Sequence, residues 1–173
     1  MTAINIQTTD VVNAIIGIDD DSPIAQLRNQ KPDLVREVQE YYQSLFEPVA
    51  SSVAALPVVD RYLVAVRVAS HTGSTAVAEW YARLAADAGA SPDAIGQARE
   101  VDERATGATP LGAALRHADL LTTRPSDARK EDLQDLKKAG FSPAAIVSLS
   151  QTIAFVSYQL RLVAGLRAFG GQQ

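Results

Sequence analysis

The sequence contains no cysteine, and only two histidines, one tryptophan and one methionine among 173 residues. Without a thiol there is no disulfide, no thiolate nucleophile and no cysteine-bound metal. His71 and His117 stand far apart, and no HExxH or similar pattern occurs, so neither a metal nor a cofactor is expected. Basic charge is scarce too. The 16 Lys and Arg are scattered among 20 Asp and Glu, giving a formal net charge of -4, and no basic patch suits nucleic acid. Glycine-rich phosphate loops, Ser-His-Asp constellations and long heptads are missing. No run approaches the ~18 apolar residues of a membrane span. The opening "MTAINIQTTDVV" has neither the basic start nor the apolar stretch of a secretion signal. No membrane partner is expected, and the expected location is cytoplasmic.

Hydrophobic residues make up 47% of the chain and charged residues 21%, which describes a globular protein with one sizeable core. Apolar spacing is helical almost throughout, and no Asn-Gly or Asp-Gly hairpin signal separates alternating runs. The predicted fold class is therefore all-α. "TTDVVNAIIGI" predicts a helix with Thr9 as its cap. Three Ser-Pro pairs, at Ser22, Ser91 and Ser142, each predict a helix start. Pro32 opens another helix, with Leu34, Val38, Tyr41, Tyr42 and Leu45 as its buried stripe and Pro48 closing it. "VASSVAALP" reads as a linker. "VVDRYLVAVRVASHT" is apolar on most sides and so central to the bundle. After Gly73 comes a helix from Ser74 to Ala88, with Val77, Trp80, Tyr81, Leu84 and Ala88 facing inward and Gly89 ending it. "SPDAIGQAREVDERA" is polar enough for a surface helix. "LGAALRHADLLT", "SDARKEDLQDLKKAG" and the long "SPAAIVSLSQTIAFVSYQLRLVAGLRAF" complete the set. The organisation expected is an N-terminal helical segment, residues 1–55, packed on a core of residues 56–173.

Several residues are candidates for chemistry. Asp60, Val64, Arg67 and His71 fall at i, i+4, i+7 and i+11, so they share one stripe of a largely apolar helix. A carboxylate, a guanidinium and an imidazole beside a cleft can bind an acidic ligand and move a proton. The alternative is a stripe that faces solvent or pairs with itself. His71, two residues before the Gly73 turn, is the better acid–base candidate; His117 suits a packed helix position. Ser74, opening a helix, can cap it or bind an anion. Glu79 suits a solvated surface. Trp80 and Tyr81 suit core packing, with the Tyr81 hydroxyl able to reach a ligand. Ser150, Ala154, Ser157 and Arg161 form a narrow stripe of small residues ending in a cation. Such a stripe allows close helix approach, including between subunits, and Arg161 can complete a cationic lining with Arg67.

The stretch from about Leu56 to Phe169 resembles the carboxymuconolactone decarboxylase family, also called alkylhydroperoxidase-D-like, in its peroxidase-related branch. The match lies in "LGAALRHADLLTTRPSDARKEDLQDLKKAGFSPAAIVSLSQTIAFVSYQLRLVAGL". That segment carries a small-residue helix, a Leu-Thr-x-x-Pro break, an Ala-Gly-Phe-Ser corner and a final helix ending near an arginine. The earlier "GIDDDSPIAQLRNQKPDLVREVQEYYQSLFEP" is similar to the leader of one subgroup. The resemblance implies an alkylhydroperoxidase-D-like helical bundle that assembles as a homo-oligomer. Redox-active members place a glutamate on one helix and Cys-x-x-Cys-x-x-x-His at the start of the next. Laid on this chain, that motif puts Ser74 and Val77 at the cysteines, Tyr81 at the histidine, and Tyr62, or Asp60 with a two-residue shift, at the glutamate. Serine does not cycle through a sulfenic acid and a disulfide, so thiol peroxidase chemistry is excluded within these residues unless a partner supplies the thiols. The decarboxylases lack the paired cysteines but place histidines where Ala76 and Tyr81 stand here.

The function expected is therefore the binding or non-redox transformation of a small organic acid or lactone. His71, Asp60 and Tyr81 would be catalytic, and Arg67, Ser74, Ser157 and Arg161 would bind the ligand. The alternative is a non-catalytic oligomeric scaffold, or a member that docks a partner oxidoreductase.

Overall fold

A computed structural model describes residues 10–19, 21–47, 56–101 and 108–170. Among them are nine α-helices and no strand: α1 (Val11–Ile16), α2 (Pro23–Arg28), α3 (Pro32–Phe46), α4 (Val58–His71), α5 (Thr75–Asp87), α6 (Pro92–Arg99), α7 (Pro110–Thr123), α8 (Lys130–Lys138) and α9 (Pro143–Gly170), with a 3₁₀ turn at Pro125–Asp127. The all-α reading is correct, and α4 is indeed the axis. It packs against α3, α5, α6, α7 and α9. Nine consecutive residues, Arg61 to Ala69, are buried, so two arginines come into the interior with its valines and alanines.

The Ser-Pro starts behave as capping chemistry predicts. Ser22, Ser91 and Ser142 each accept a hydrogen bond from the backbone N–H three residues on, at 3.2, 3.2 and 3.1 Å. Proline follows each as the first helical residue, where its missing N–H costs nothing. Between α4 and α5 the chain reverses through Gly73, at φ 68°. Only glycine adopts that left-handed conformation freely. Gly89 and Gly140 end α5 and α8 in the same way.

Several boundaries differ from the sequence reading. Asp10, not Thr9, caps α1, accepting from Val12 and Asn13 N–H; Thr9 lies outside the described residues. Asp10 also pairs with Arg28 at 2.5 Å, which ties α1 to α2. On α3, Leu34 and Tyr41 are exposed. The buried arc is Tyr42, Leu45 and Phe46, because only the C-terminal part of this helix lies against the core. The predicted stop at Pro48 and most of the predicted linker lie outside the described residues. Ala88 is exposed at the end of α5. The "SPDAIGQAREVDERA" helix ends at Arg99, and the "SDARKEDLQDLKKAG" helix divides into the 3₁₀ turn and α8.

The 28-residue α9 spans about 42 Å at 1.5 Å per residue. By length and composition it could cross a bilayer, but 56% of its apolar window is buried inside the bundle, as a core helix requires. Phe46 on α3 gathers an aromatic cluster in the space between α3, α4, α5 and α9. Its ring stacks on Tyr62 with centroids 5.2 Å apart and lies 5.1 Å from Tyr42 and from Tyr81.

Candidate functional site

The C-terminal end of α4 is where the polar chemistry gathers. Arg67 is fully buried, and its guanidinium meets Asp119 of α7 in a two-pronged ion pair: Nε donates to Oδ1 at 2.5 Å and Nη2 to Oδ2 at 2.7 Å. Its Nη1 donates to the Gln97 carbonyl of α6 at 3.2 Å. One turn further along α4, His71 Nε2 lies 2.5 Å from the same Asp119 Oδ1. Asp119 is 1% exposed and the His71 side chain 12%. Planar guanidinium against planar carboxylate gives the geometry that lets buried charges persist, since each partner satisfies the other's desolvated atoms.

Adjoining this cluster is an open cleft of about 460 Å³ between the α4–α5 turn, α7 and α9. Thr72, Ser74, Thr122 and Ser157 line it with Arg161 and Arg167, and Leu160, Val163 and Ala164 provide the apolar part. Ser74 sits at the N-cap of α5 yet makes no side-chain capping bond, so its hydroxyl is left to the cleft. Arg161 is half anchored, donating to the Ser157 carbonyl at 2.7 Å. Two cations and the uncapped Ser74 hydroxyl, with no carboxylate in the lining among the described residues, suit a small anion that also carries an apolar body.

Of the residues singled out from sequence, Ser74, Ser157 and Arg161 line this cleft together. Arg67 and His71 meet each other through Asp119. The expected pairing of Arg67 with Arg161 is not formed: Arg67 is sealed in the core on Asp119, whereas Arg161 is exposed. Asp60 does not join His71, because eleven residues of helix separate them by about 16 Å. It sits half-buried in the first turn of α4, where desolvation pushes its carboxyl above the usual range. Tyr81 is also elsewhere. Its ring is in the aromatic cluster and its hydroxyl donates to Gln159 Oε1. Burial, then the neighbouring Tyr42, hold the phenol well above its ordinary value, so it keeps its proton.

Asp119 and Gln159 were missed. Each had a signal: Asp119 falls four residues after Leu115 and one after Ala118, both fully buried, so a carboxylate occupies an inward register of α7. An inward carboxylate on one helix and an inward arginine on another call for each other. Gln159 likewise falls four residues after buried Phe155 on α9.

No family model matches the sequence, and no curated protein matches it. Among solved structures, the chain is similar to an uncharacterized peroxidase-related protein from Silicibacter sp. TM1040. The two are 15% identical over 77% of this chain and 68% of that one, with a TM-score of 0.67. The fold is shared. At that identity the likeness speaks for the arrangement of helices, not for the residues of a site.

Proposed function

We propose that this chain is a cysteine-free relative of the alkylhydroperoxidase-D-like proteins that binds, and by acid–base chemistry transforms, a small organic acid or lactone in the cleft between α4, α7 and α9. The observation that carries the reading is the lining: Arg161 and Arg167 with Ser74, Thr72 and Ser157 around an apolar wall, next to a buried His71–Asp119–Arg67 cluster. The likeness to a peroxidase-related structure supports the fold-level part. A thiol peroxidase cycle run by these residues alone has no thiol to run on.

Differential scanning fluorimetry with a panel of carboxylates and lactones tests this reading. Arg161→Ala and Arg167→Ala are the informative variants, since both residues are exposed and their loss leaves the core alone. The expected result is a carboxylate that raises the Tm of the wild type and of neither variant. A panel without any shift overturns the proposal. Arg67→Ala would be uninformative, because it strands Asp119 as an unpaired buried charge at a cost of about 3–5 kcal/mol.

A second reading, a homo-oligomeric scaffold, draws support from α9. Its outer side leaves Val147, Tyr158 and Phe169 exposed at spacings of eleven residues, which share one stripe of the helix.

A further inference from the structure

α7 and α8 face each other across a cavity of about 230 Å³. On the α7 side its wall is Ala113, Arg116, His117 and Leu120, whose spacings put them on one stripe, with Arg124 just past the helix end. On the α8 side the wall is Asp132, Asp135 and Leu136. His117 is only 6% exposed, and its Nε2 has no hydrogen-bond partner among the described residues. A neutral imidazole tolerates that position. An imidazolium there needs a counter-charge.

Few charged groups face the ring. Arg116 and Arg124, from its own side, disfavour a second cation. Across the cavity, Asp135 is exposed and already holds Lys138 Nζ at 2.7 Å. Asp132 is partly buried. Its Oδ2 accepts the Arg129 backbone N–H at 2.7 Å at the start of α8, and Oδ1 takes no part in that bond. α4, α9 and the 3₁₀ turn also pack on α7, but none of their described residues enters the cavity wall.

We propose that this seam is a proton-operated clasp. Protonation of His117 turns its ring into the cavity and onto Asp132 Oδ1, so that an imidazolium–carboxylate pair binds the first turn of α8 to α7. Asp132 does this without leaving its capping bond, because a carboxylate has two accepting oxygens. The pair offsets part of the cost of a charge in that position. Burial holds the His117 pKa below the ordinary 6.5 and Asp132 pulls it partly back, so the clasp closes in mild acid and is open at neutral pH. A ring that only felt the summed charge of α8 would stay where it is and respond alike to either aspartate.

An NMR titration of the labelled, full-length chain from neutral to mildly acidic pH tests this, with His117→Gln assigning the ring signals. Below the His117 midpoint, cross-relaxation between its ring and the Asp132 Hβ protons is expected to appear. The Asp132 carboxyl carbon is expected to shift with that same midpoint. In Asp132→Asn the midpoint is expected at lower pH than in the wild type, and in Asp135→Asn it is expected to move less. Ring contacts that do not change through the titration overturn the proposal. So does an Asp132→Asn midpoint displaced no further than that of Asp135→Asn, or a chain that unfolds before His117 titrates. Should Asp132→Asn fail to fold, the wild-type contacts decide alone. No ligand is used, and no residue of this cavity lines the cleft between α4, α7 and α9, so the clasp and the cleft stand or fall separately.

Discussion

Arg61 and Arg67 are the two guanidiniums that α4 carries into the core, and the fold satisfies them by different means. Arg67 has a carboxylate. Arg61 has carbonyls: Nε donates to Leu56 O at 2.7 Å and Nη1 to Leu45 O near the end of α3. Desolvation lowers the Arg61 pKa, and the negative end of α3 helps to hold its charge. His117 shows the opposite treatment. It is buried on α7 with no hydrogen-bond partner at Nε2 among the described residues, and burial lowers its pKa, against a smaller upward pull from Asp132. The sign of the consequence follows. A histidine depressed in the folded state is protonated first in the unfolded chain, so stability falls as pH drops below the ordinary value of 6.5 and levels off below the folded-state value. Replacing His117 with Leu is expected to raise stability at pH 7 by about 1 kcal/mol, by removing an unsatisfied buried nitrogen. The same change should flatten the acid side of the profile. Urea unfolding at pH 7 and pH 5 measures both; a steeper acid loss in the variant would contradict the account.

Helix starts separate two uses of serine that look alike in the sequence. Ser142 caps α9 through its hydroxyl, whereas Ser74, at the corresponding place on α5, does not. Ser142→Ala is expected to cost about 1 kcal/mol. Ser74→Ala is expected to stay within about 0.5 kcal/mol, since no capping bond is lost. Chemical denaturation of the two variants side by side tests the distinction, and equal losses would refute it. The freedom of the Ser74 hydroxyl follows from the Gly73 turn, which brings the chain into α5 with Ser74 at φ -79° and ψ 86° rather than in the extended conformation of Ser22 and Ser91.

At the scale of the whole molecule, α9 serves two sides. Leu149, Ile153, Val156, Leu160 and Val163 face the bundle, and Val147, Tyr158 and Phe169 face outward. An apolar outer face on so long a helix favours burial against another surface, and we propose that a second copy of the chain covers it. Light scattering after size exclusion is expected to give a mass above the 18.4 kDa of one chain. Tyr158→Glu is expected to shift that mass downward without loss of helical signal. A monomeric wild type would rule the assembly out.

Helical periodicity, the Ser-Pro starts and the glycine stops were all legible in the sequence, because they depend on residues within one or two turns of each other. The same locality made α4 readable as the central helix and Trp80 and Tyr81 as core. Partnership was not legible. Arg67 and Asp119 are 52 residues apart and belong to different helices, so which carboxylate received the guanidinium depended on how α7 was set against α4. For the same reason Asp60, on the right stripe of the right helix, ended at the far end from His71, while Arg167 entered a cleft that no linear spacing marks. Local chemistry chose the helices; packing chose which of their polar groups would meet, since burying a charge is tolerable only where another element delivers its counterpart.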